Sequence, residues 1–397
     1  MAYPADVAVR ALIEAEGLAV AGIAAAEPLL EAREAALRAL DEGRLEGMAW
    51  MTPEWVERAT TPERFLGGAR SLIVLGLPYH SPEPGIPGGD GRPRGKIARY
   101  ARGRDYHRVF ESKLRRIVRA IRADLGGEAR ATVDYGPLLE RPVAALAGIG
   151  WQGKSTMLLV PGAGPWVLLG AIATSLELEP GHALIKSCGS CTRCIEACPT
   201  GAISGDGGEV DARLCISYHT IENRGAIPRA VRARMGDRVF GCDDCLDACP
   251  VGASRWETYP EFAPPDLEYA RPVLTGLLLL DEAAFAERYR GRAIMRAKRD
   301  GLVRNACIAL GNTGRPEDLD ALGAALHDAS ALVRGHAAWA IGRLGQRTGT
   351  SGWEGALVAR AMLEKDEFVS EEIRLALAGP GAGGPYGRVD HAGAAAD

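Results

Sequence analysis

The chain has 397 residues, 47% of them hydrophobic and 25% charged, with a formal net charge of −4. That is length enough for two or three domains of ordinary globular composition, and no apolar run approaches a bilayer span. The start lacks the basic and apolar regions of a secretory signal, so a cytoplasmic protein with no membrane association is expected, and the acidic balance excludes indiscriminate nucleic-acid binding while allowing local basic faces.

Residues 5–46 carry Ala, Leu, Glu and Arg at helical spacing, with Pro28 separating two helices. The apolar run 71–78 is rich in β-formers and predicts a buried strand; the Pro/Gly-rich stretch 81–93 predicts an exposed, mobile loop. Residues 92–122 hold twelve Lys or Arg against only Asp105 and Glu111. Part of this stretch (105–125) is helical in pattern, so the charge is either a solvated helix face or the footprint of a polyanion. Asp134 follows a short strand and precedes Gly136-Pro137, where taken alone it is a turn residue.

Gly148-x4-Gly153-Lys154-Ser155 fits the phosphate-loop expression, but the order of elements is inverted. A P-loop leaves a strand and opens a helix; here 142–147 reads as helix and 156–160 as strand. A nucleotide triphosphatase is therefore not expected. Another apolar strand over 164–175 completes an α/β (α+β) region spanning about residues 1–180.

The segment 181–265 holds eight of the nine cysteines. Cys188-x2-Cys191-x2-Cys194-x3-Cys198-Pro199 is the bacterial ferredoxin run, in which the fourth cysteine reaches to another cluster. Cys242-x2-Cys245-x3-Cys249-Pro250 is one short of it, and Cys215 is available to complete the set. The crossing rule assigns Cys188, Cys191, Cys194 and Cys249 to one [4Fe–4S] cluster, and Cys198, Cys215, Cys242 and Cys245 to the other, in a ferredoxin-like domain. Each proline stops a helix behind its cysteine, and Gly189, Gly201 and Gly241 permit close backbone approach to sulfur. Paired zinc ribbons use wider gaps, and a disulfide framework would leave the ninth cysteine odd. That residue, Cys307, sits in an apolar helical pattern and reads as core.

From residue 266 to about 380 the chain is helical. Residues 302–314 recur thirty positions later as 332–344, a helix-pair repeat close to short HEAT repeats, and 366–377 reads as an eroded third copy. Residues 288–304 hold seven basic residues and one acid, Asp300. The Gly/Ala-rich tail 381–397 is expected to be disordered. The residues by themselves reach a cytosolic iron–sulfur reductase whose N-terminal domain holds the electron acceptor, with no haem or flavin fingerprint to name it.

The runs 134–142, 148–155, 100–107, 215–228 and 298–306, in order with the cysteine runs, resemble the epoxyqueuosine reductase family over about residues 45–345. The resemblance implies a base-off cobalamin in the N-terminal domain, fed by the clusters from an external low-potential electron donor. It implies reduction of the epoxide of epoxyqueuosine in a tRNA anticodon stem-loop to queuosine by a monomer. Asp134 matches the family's proton donor, and a closed apolar pocket would raise its pKa enough to hold that proton. By the same matching Arg58, Ala98, His107, Ser155, Leu158, Leu169, Ser217 and Asp244 lie near the corrin, Asp134 with them. Ala98 and Ser155 depart from relatives that carry a polar or thiol side chain and an Asn there, so no cobalt ligand is expected from Ala98. Three basic stretches (92–122, 224–238 and 288–304) would line the RNA. A reductive dehalogenase-like enzyme acting on a small molecule would leave those stretches unexplained, and a plain ferredoxin-type carrier would bind no cobalamin.

Overall fold

The computed structural model describes residues 4–86, 91–252 and 258–379. Eight strands occur among them: β1 (Val20–Ala25), β2 (Ser71–Pro78), β3 (Lys96–Ile97), β4 (Ala129–Thr132), β5 (Trp151–Gln152), β6 (Leu158–Leu159), β7 (Val167–Thr174) and β8 (Arg238–Phe240). Four of them form an antiparallel sheet in the order β1-β2-β7-β4. Every residue of β2 is buried, because its two faces meet two cores. Ile73, Leu75 and Leu77 pack with Phe110, Leu114, Ile117 and Ile121 of the helix Tyr106–Asp124. Leu72 and Val74 pack with Val143 and Ala144 of the helix Glu140–Leu146. A strand covered on both sides must read as an unbroken apolar run, which is what 71–78 does.

β1 corrects the expectation of two helices divided at Pro28. Helices Pro4–Ala15 and Leu30–Asp41 do form, but the residues between them enter the sheet. Small Ala and Gly residues there carry little local preference, and pairing with β2 decides the outcome. Gly22 is needed for close packing: a Cβ there would sit 2.6 Å from the Ala147 carbonyl oxygen. The loop expected at 81–93 is also less free at its start. Ser81 is buried, and its carbonyl accepts 2.8 Å from Nε of Arg99, while Glu83 pairs with Arg102 at 2.8 Å. The phosphate-loop expression follows the helix Glu140–Leu146 and runs through β5 into the β5–β6 turn, so it leaves a helix and enters a hairpin rather than leaving a strand and opening a helix.

The C-terminal helices Lys298–Thr313, Leu319–Ala325, Ala331–Thr348, Trp353–Ala361 and Glu367–Leu377 share one apolar core that includes Cys307. The same core takes in Ile97 of β3 and Val239 and Phe240 of β8, so the helices are packed onto the cysteine-bearing segment. Arg304 is buried with no carboxylate partner among the described residues; it donates to the carbonyls of His219 (2.6 Å), Asn223 (2.8 Å) and Gly225 (2.8 Å). Asn305 reaches Thr220 O at 3.0 Å and Val239 O at 2.9 Å. These two side chains satisfy backbone groups that burial would otherwise leave unpaired. No helix among the described residues is long and apolar enough to cross a membrane. The tail 381–397 lies outside the described residues.

Candidate active site and cluster cysteines

The two cysteine runs each wind into a four-residue helix, Arg193–Glu196 and Asp244–Asp247, that ends just ahead of the Cys-Pro pair. Gly189, Gly201 and Gly241 take φ of 53°, 69° and 69°, the left-handed region open to glycine. Backbone N–H groups of Lys154 and Ala202 lie 3.4 and 3.2 Å from the sulfurs of Cys188 and Cys198.

For the thiols whose titration is shifted, the neighbouring charges show which other cysteines lie close. Burial raises Cys194 and Cys249, and each also feels Cys188 and Cys191. Burial raises Cys242 to about 12, with Cys215 among the charges acting on it. Burial raises Cys245 further, helped by Cys242, Cys215 and Cys198. Cys249 thus feels Cys188 and Cys191, while Cys245 feels Cys242, Cys215 and Cys198. Half-buried thiols raised by burial and by one another's charge lose their protons more readily against a bound cation.

A cavity of about 610 Å³ opens beside the second set. Cys198, Cys215, Cys242 and Cys245 lie on its wall, and so do Asp134, Ala98, Ser155, Leu169, Ser217 and Asp244. Ser217 sits in the helix Ile216–Ile221, whose N-cap is Cys215. Ala98 donates its N–H to Phe240 O at 2.8 Å, tying that wall to the strand entering Cys242. Asp244 is fixed by Arg238 at 2.6 Å. Three expected residues are not on the wall: Arg58 is exposed on the helix Pro53–Ala59, Leu158 is core, and His107 stands behind Asp134.

Asp134 occupies a left-handed backbone conformation (φ 58°) just past β4. Its N–H donates 2.6 Å to Oε1 of Glu140, and its Oδ2 accepts 2.8 Å from the Tyr106 hydroxyl. Nε2 of His107 lies 3.4 Å from the same oxygen, while Nδ1 of His107 lies 2.8 Å from Oδ1 of Asp105. The expectation of a raised Asp134 pKa is not met. Burial pushes it up, but the bonds from His107 and Tyr106 outweigh that and hold it below its ordinary value. Burial lowers His107, but the two carboxylates overcome this and raise it to about 9. Burial and the nearby Asp134 charge raise Glu140 to about 8. Sequence reading missed Tyr106, Asp105 and Glu140 as site residues, although all three lie within the runs 100–107 and 134–142 that carry the resemblance.

Many side chains of the basic stretches are paired with acids, some buried and some, such as Arg296, on the surface. Arg94 pairs with Glu268 at 2.6 Å, Arg99 with Asp247 at 2.8 Å, Arg232 with Glu372 at 2.8 Å and Arg296 with Glu222 at 2.8 Å. Arg104, Arg108, Arg290 and Lys298 are exposed and have no carboxylate partner among the described residues. The N–H of Asp105 donates 2.8 Å to Gly291 O, which sets Arg104 and Arg108 beside Arg290, next to His107.

Residues 187–252 match the family described as 4Fe-4S double cluster binding domain, and residues 59–135 match Epoxyqueuosine reductase QueG, DUF1730. The epoxyqueuosine reductase of Xanthomonas campestris pv. campestris is 40% identical over 352 residues, covering 86% of this chain and 97% of its own. The chain belongs to the epoxyqueuosine reductase family. The Bacillus anthracis epoxyqueuosine reductase is 33% identical, covering 91% of this chain and 93% of its own. Among solved structures, an epoxyqueuosine reductase with a tRNA-Tyr epoxyqueuosine-modified stem loop superimposes with a TM-score of 0.87 at 30% identity, covering 94% and 97% of the two chains. A Bacillus subtilis epoxyqueuosine reductase, with its catalytic aspartate loop swung out of the active site, gives 0.85 at 30% identity, covering 93% and 98%. This chain is thus an oxidoreductase of that family, with a mixed α/β fold and a double-cluster segment.

Proposed function

We propose that this chain reduces the epoxide of epoxyqueuosine in a tRNA anticodon stem-loop to queuosine, using a base-off cobalamin and two [4Fe–4S] clusters. The observation that carries the reading is the single cavity with thiols of the second cysteine set on one wall and Asp134 on another. An electron source and a proton source meet there across one space. The solved relative bound to an epoxyqueuosine-modified stem loop supports the substrate.

The walls suit a corrin. Leu169 and Ile216 are apolar, and Ala98 presents only a methyl group, so the cavity face beside it offers no coordinating atom. Ser155, Ser217 and Asp244 would meet the polar edge of such a ring. Bound there, cobalamin supplies a strongly reducing cobalt centre between clusters and substrate. The chain's own part is to deliver electrons and protons and to exclude water. The set of Cys188, Cys191, Cys194 and Cys249 is the entry for electrons from an external low-potential donor, since Cys188 and Cys191 border an open surface pocket. Asp134 delivers a proton to the departing oxygen.

Three units would divide this work: residues 1–180 holding cobalamin, 181–265 the clusters, and 266–380 HEAT-like helices that help hold RNA. Arg104, Arg108, Arg290 and Lys298 supply phosphate contacts at the mouth, and pocket contacts to the flipped base supply specificity.

The test is an anaerobic assay of cluster-reconstituted, cobalamin-loaded protein with epoxyqueuosine-containing tRNA, read by mass spectrometry of the nucleosides. Queuosine should form with the parent and not with Asp134→Asn. Cobalamin binding without conversion would move the substrate to a small molecule; absence of cobalamin binding would leave only the iron–sulfur wire.

A further inference from the structure

Reducing an epoxide to an alkene breaks two C–O bonds, forms one C–C π bond and takes up two electrons and two protons, with the oxygen leaving as water. The electrons arrive from a low-potential one-electron donor through the clusters. One carboxyl group carries one proton, so the cycle needs a supply behind Asp134, and the following inference rests on the reaction proposed above.

The supply is visible in the hydrogen bonds. Nδ1 of His107 lies 2.8 Å from Oδ1 of Asp105, and a carboxylate only accepts, so Nδ1 carries a hydrogen. The other nitrogen, Nε2, lies 3.4 Å from Oδ2 of Asp134. A neutral His107 in this tautomer would point a lone pair at the lone pairs of a carboxylate. The contact is attractive only with a proton between the two atoms, resting on Nε2 or on Oδ2. A protonated His107 would therefore turn its Nε2–H toward Oδ2 of Asp134. The Asp134 side chain, on the cavity wall, is 63% exposed and that of His107 26%; with substrate lying over Asp134 on the cavity side, His107 is the neighbour left in touch with water.

We propose that the Asp105–His107 pair is the proton feed of Asp134: His107 passes its proton to Oδ2, Asp134 hands that same proton to the departing oxygen, and His107 takes up the second from water and passes it on in the same way within the turnover. Asp105 is the positioning residue that fixes the tautomer and favours the imidazolium. It is itself fixed as the N-cap of the helix Tyr106–Asp124, accepting 3.1 Å from His107 N–H.

The groups facing His107 agree with this. Asp105 and Arg108 lie on its own segment; the Tyr106 ring stacks on it at 4.0 Å, and Tyr135 of the Asp134 loop lies at 5.5 Å. Asp134, Glu140 and Arg141 come from the facing loop and helix, and Tyr100, Arg296 and Glu222 stand behind Tyr106 and Asp134. Burial opposes the charged imidazole, but the two carboxylates outweigh it and raise His107 to about 9. The feed is loaded below that pH and emptied as pH rises through it.

Two readouts test the pair. In the protein with labelled histidine, NMR titration should place His107 near pH 9 in the parent and at least one unit lower in Asp105→Asn. In anaerobic turnover of an epoxyqueuosine-bearing stem-loop RNA with dithionite and methyl viologen, kcat of the parent should fall above about pH 9, following the His107 titration. Asp105→Asn should move that limb down with the titration. His107→Gln should lower kcat by about a hundredfold, remove the limb and leave KM for the RNA unchanged. The proposal is overturned if His107 titrates near its ordinary value in the parent, or if either variant keeps the parent's alkaline limb. Retained cluster absorbance shows that a variant is folded. A parent that converts no RNA strikes the reaction assignment, while the histidine titration still decides the pair.

Discussion

The Tyr106 hydroxyl donates to Oδ2 of Asp134 at 2.8 Å, from a helix that also packs on the central sheet. The carboxylate is thus oriented by an element with its own reasons to stay in place. A residue at positive φ in a loop has little else to hold its side chain, and the bond favours its charged form.

Tyr106→Phe removes that bond and keeps the ring packing. The Asp134 titration should move to higher pH, since a bond to the anion is gone. Asp134 also becomes free to rotate, so kcat should drop by about tenfold with KM for the RNA unchanged. A pH profile of the variant beside the parent measures both.

Glu140 accepts the Asp134 N–H at 2.6 Å and has its pKa raised to about 8 by burial and the Asp134 charge. A carboxyl group raised in the folded state favours folding below its unfolded value of 4.5 and loses that contribution as pH rises through about 8. The anaerobic melting temperature should therefore decline across that window in the parent. Glu140→Gln, which keeps an acceptor oxygen, should flatten the decline and retain activity. Glu140→Ala should release the loop and lower kcat.

Arg304 holds three backbone carbonyls in and just after the helix that Cys215 caps. Arg304→Met leaves buried acceptors unsatisfied and should cost about 2–4 kcal/mol. Chemical denaturation measures that loss. The iron content of purified protein should fall as well, because the Cys215 helix loses its C-terminal support.

Affinity for the stem-loop should fall steeply with salt, the logarithm of the binding constant dropping by about 0.7–0.9 per phosphate contact for each log unit of salt. Arg108→Ala and Arg290→Ala should each reduce that slope by about one, and Arg232→Ala, whose guanidinium is buried against Glu372, should not. Filter binding over a salt series tests this; a flat response in the parent would remove RNA from the proposed function.

What the sequence determined by itself was the local chemistry. Ligand spacing within a run of a dozen residues is set by covalent geometry, so the cysteine runs, their prolines and their glycines could be read directly. The buried strand β2, the amphipathic helix behind Asp105 and the inverted order around Gly153 were legible for the same reason: each is a pattern shorter than the element it specifies. The tertiary structure decided what depends on residues far apart in the chain. Val20–Ala25 became a strand because β2 offered it hydrogen bonds, a partner some fifty residues away. Basic stretches that looked like an RNA face were largely neutralised by acids elsewhere, Arg94 by Glu268 and Arg232 by Glu372. The protonation of the site followed the same rule. Asp134 was expected to have a raised pKa on the strength of burial, but Tyr106 and His107 converge on it and hold its pKa below the ordinary value, while that of His107 rises. A pKa is set by the charges and donors around a group, and only the folded chain brings those together.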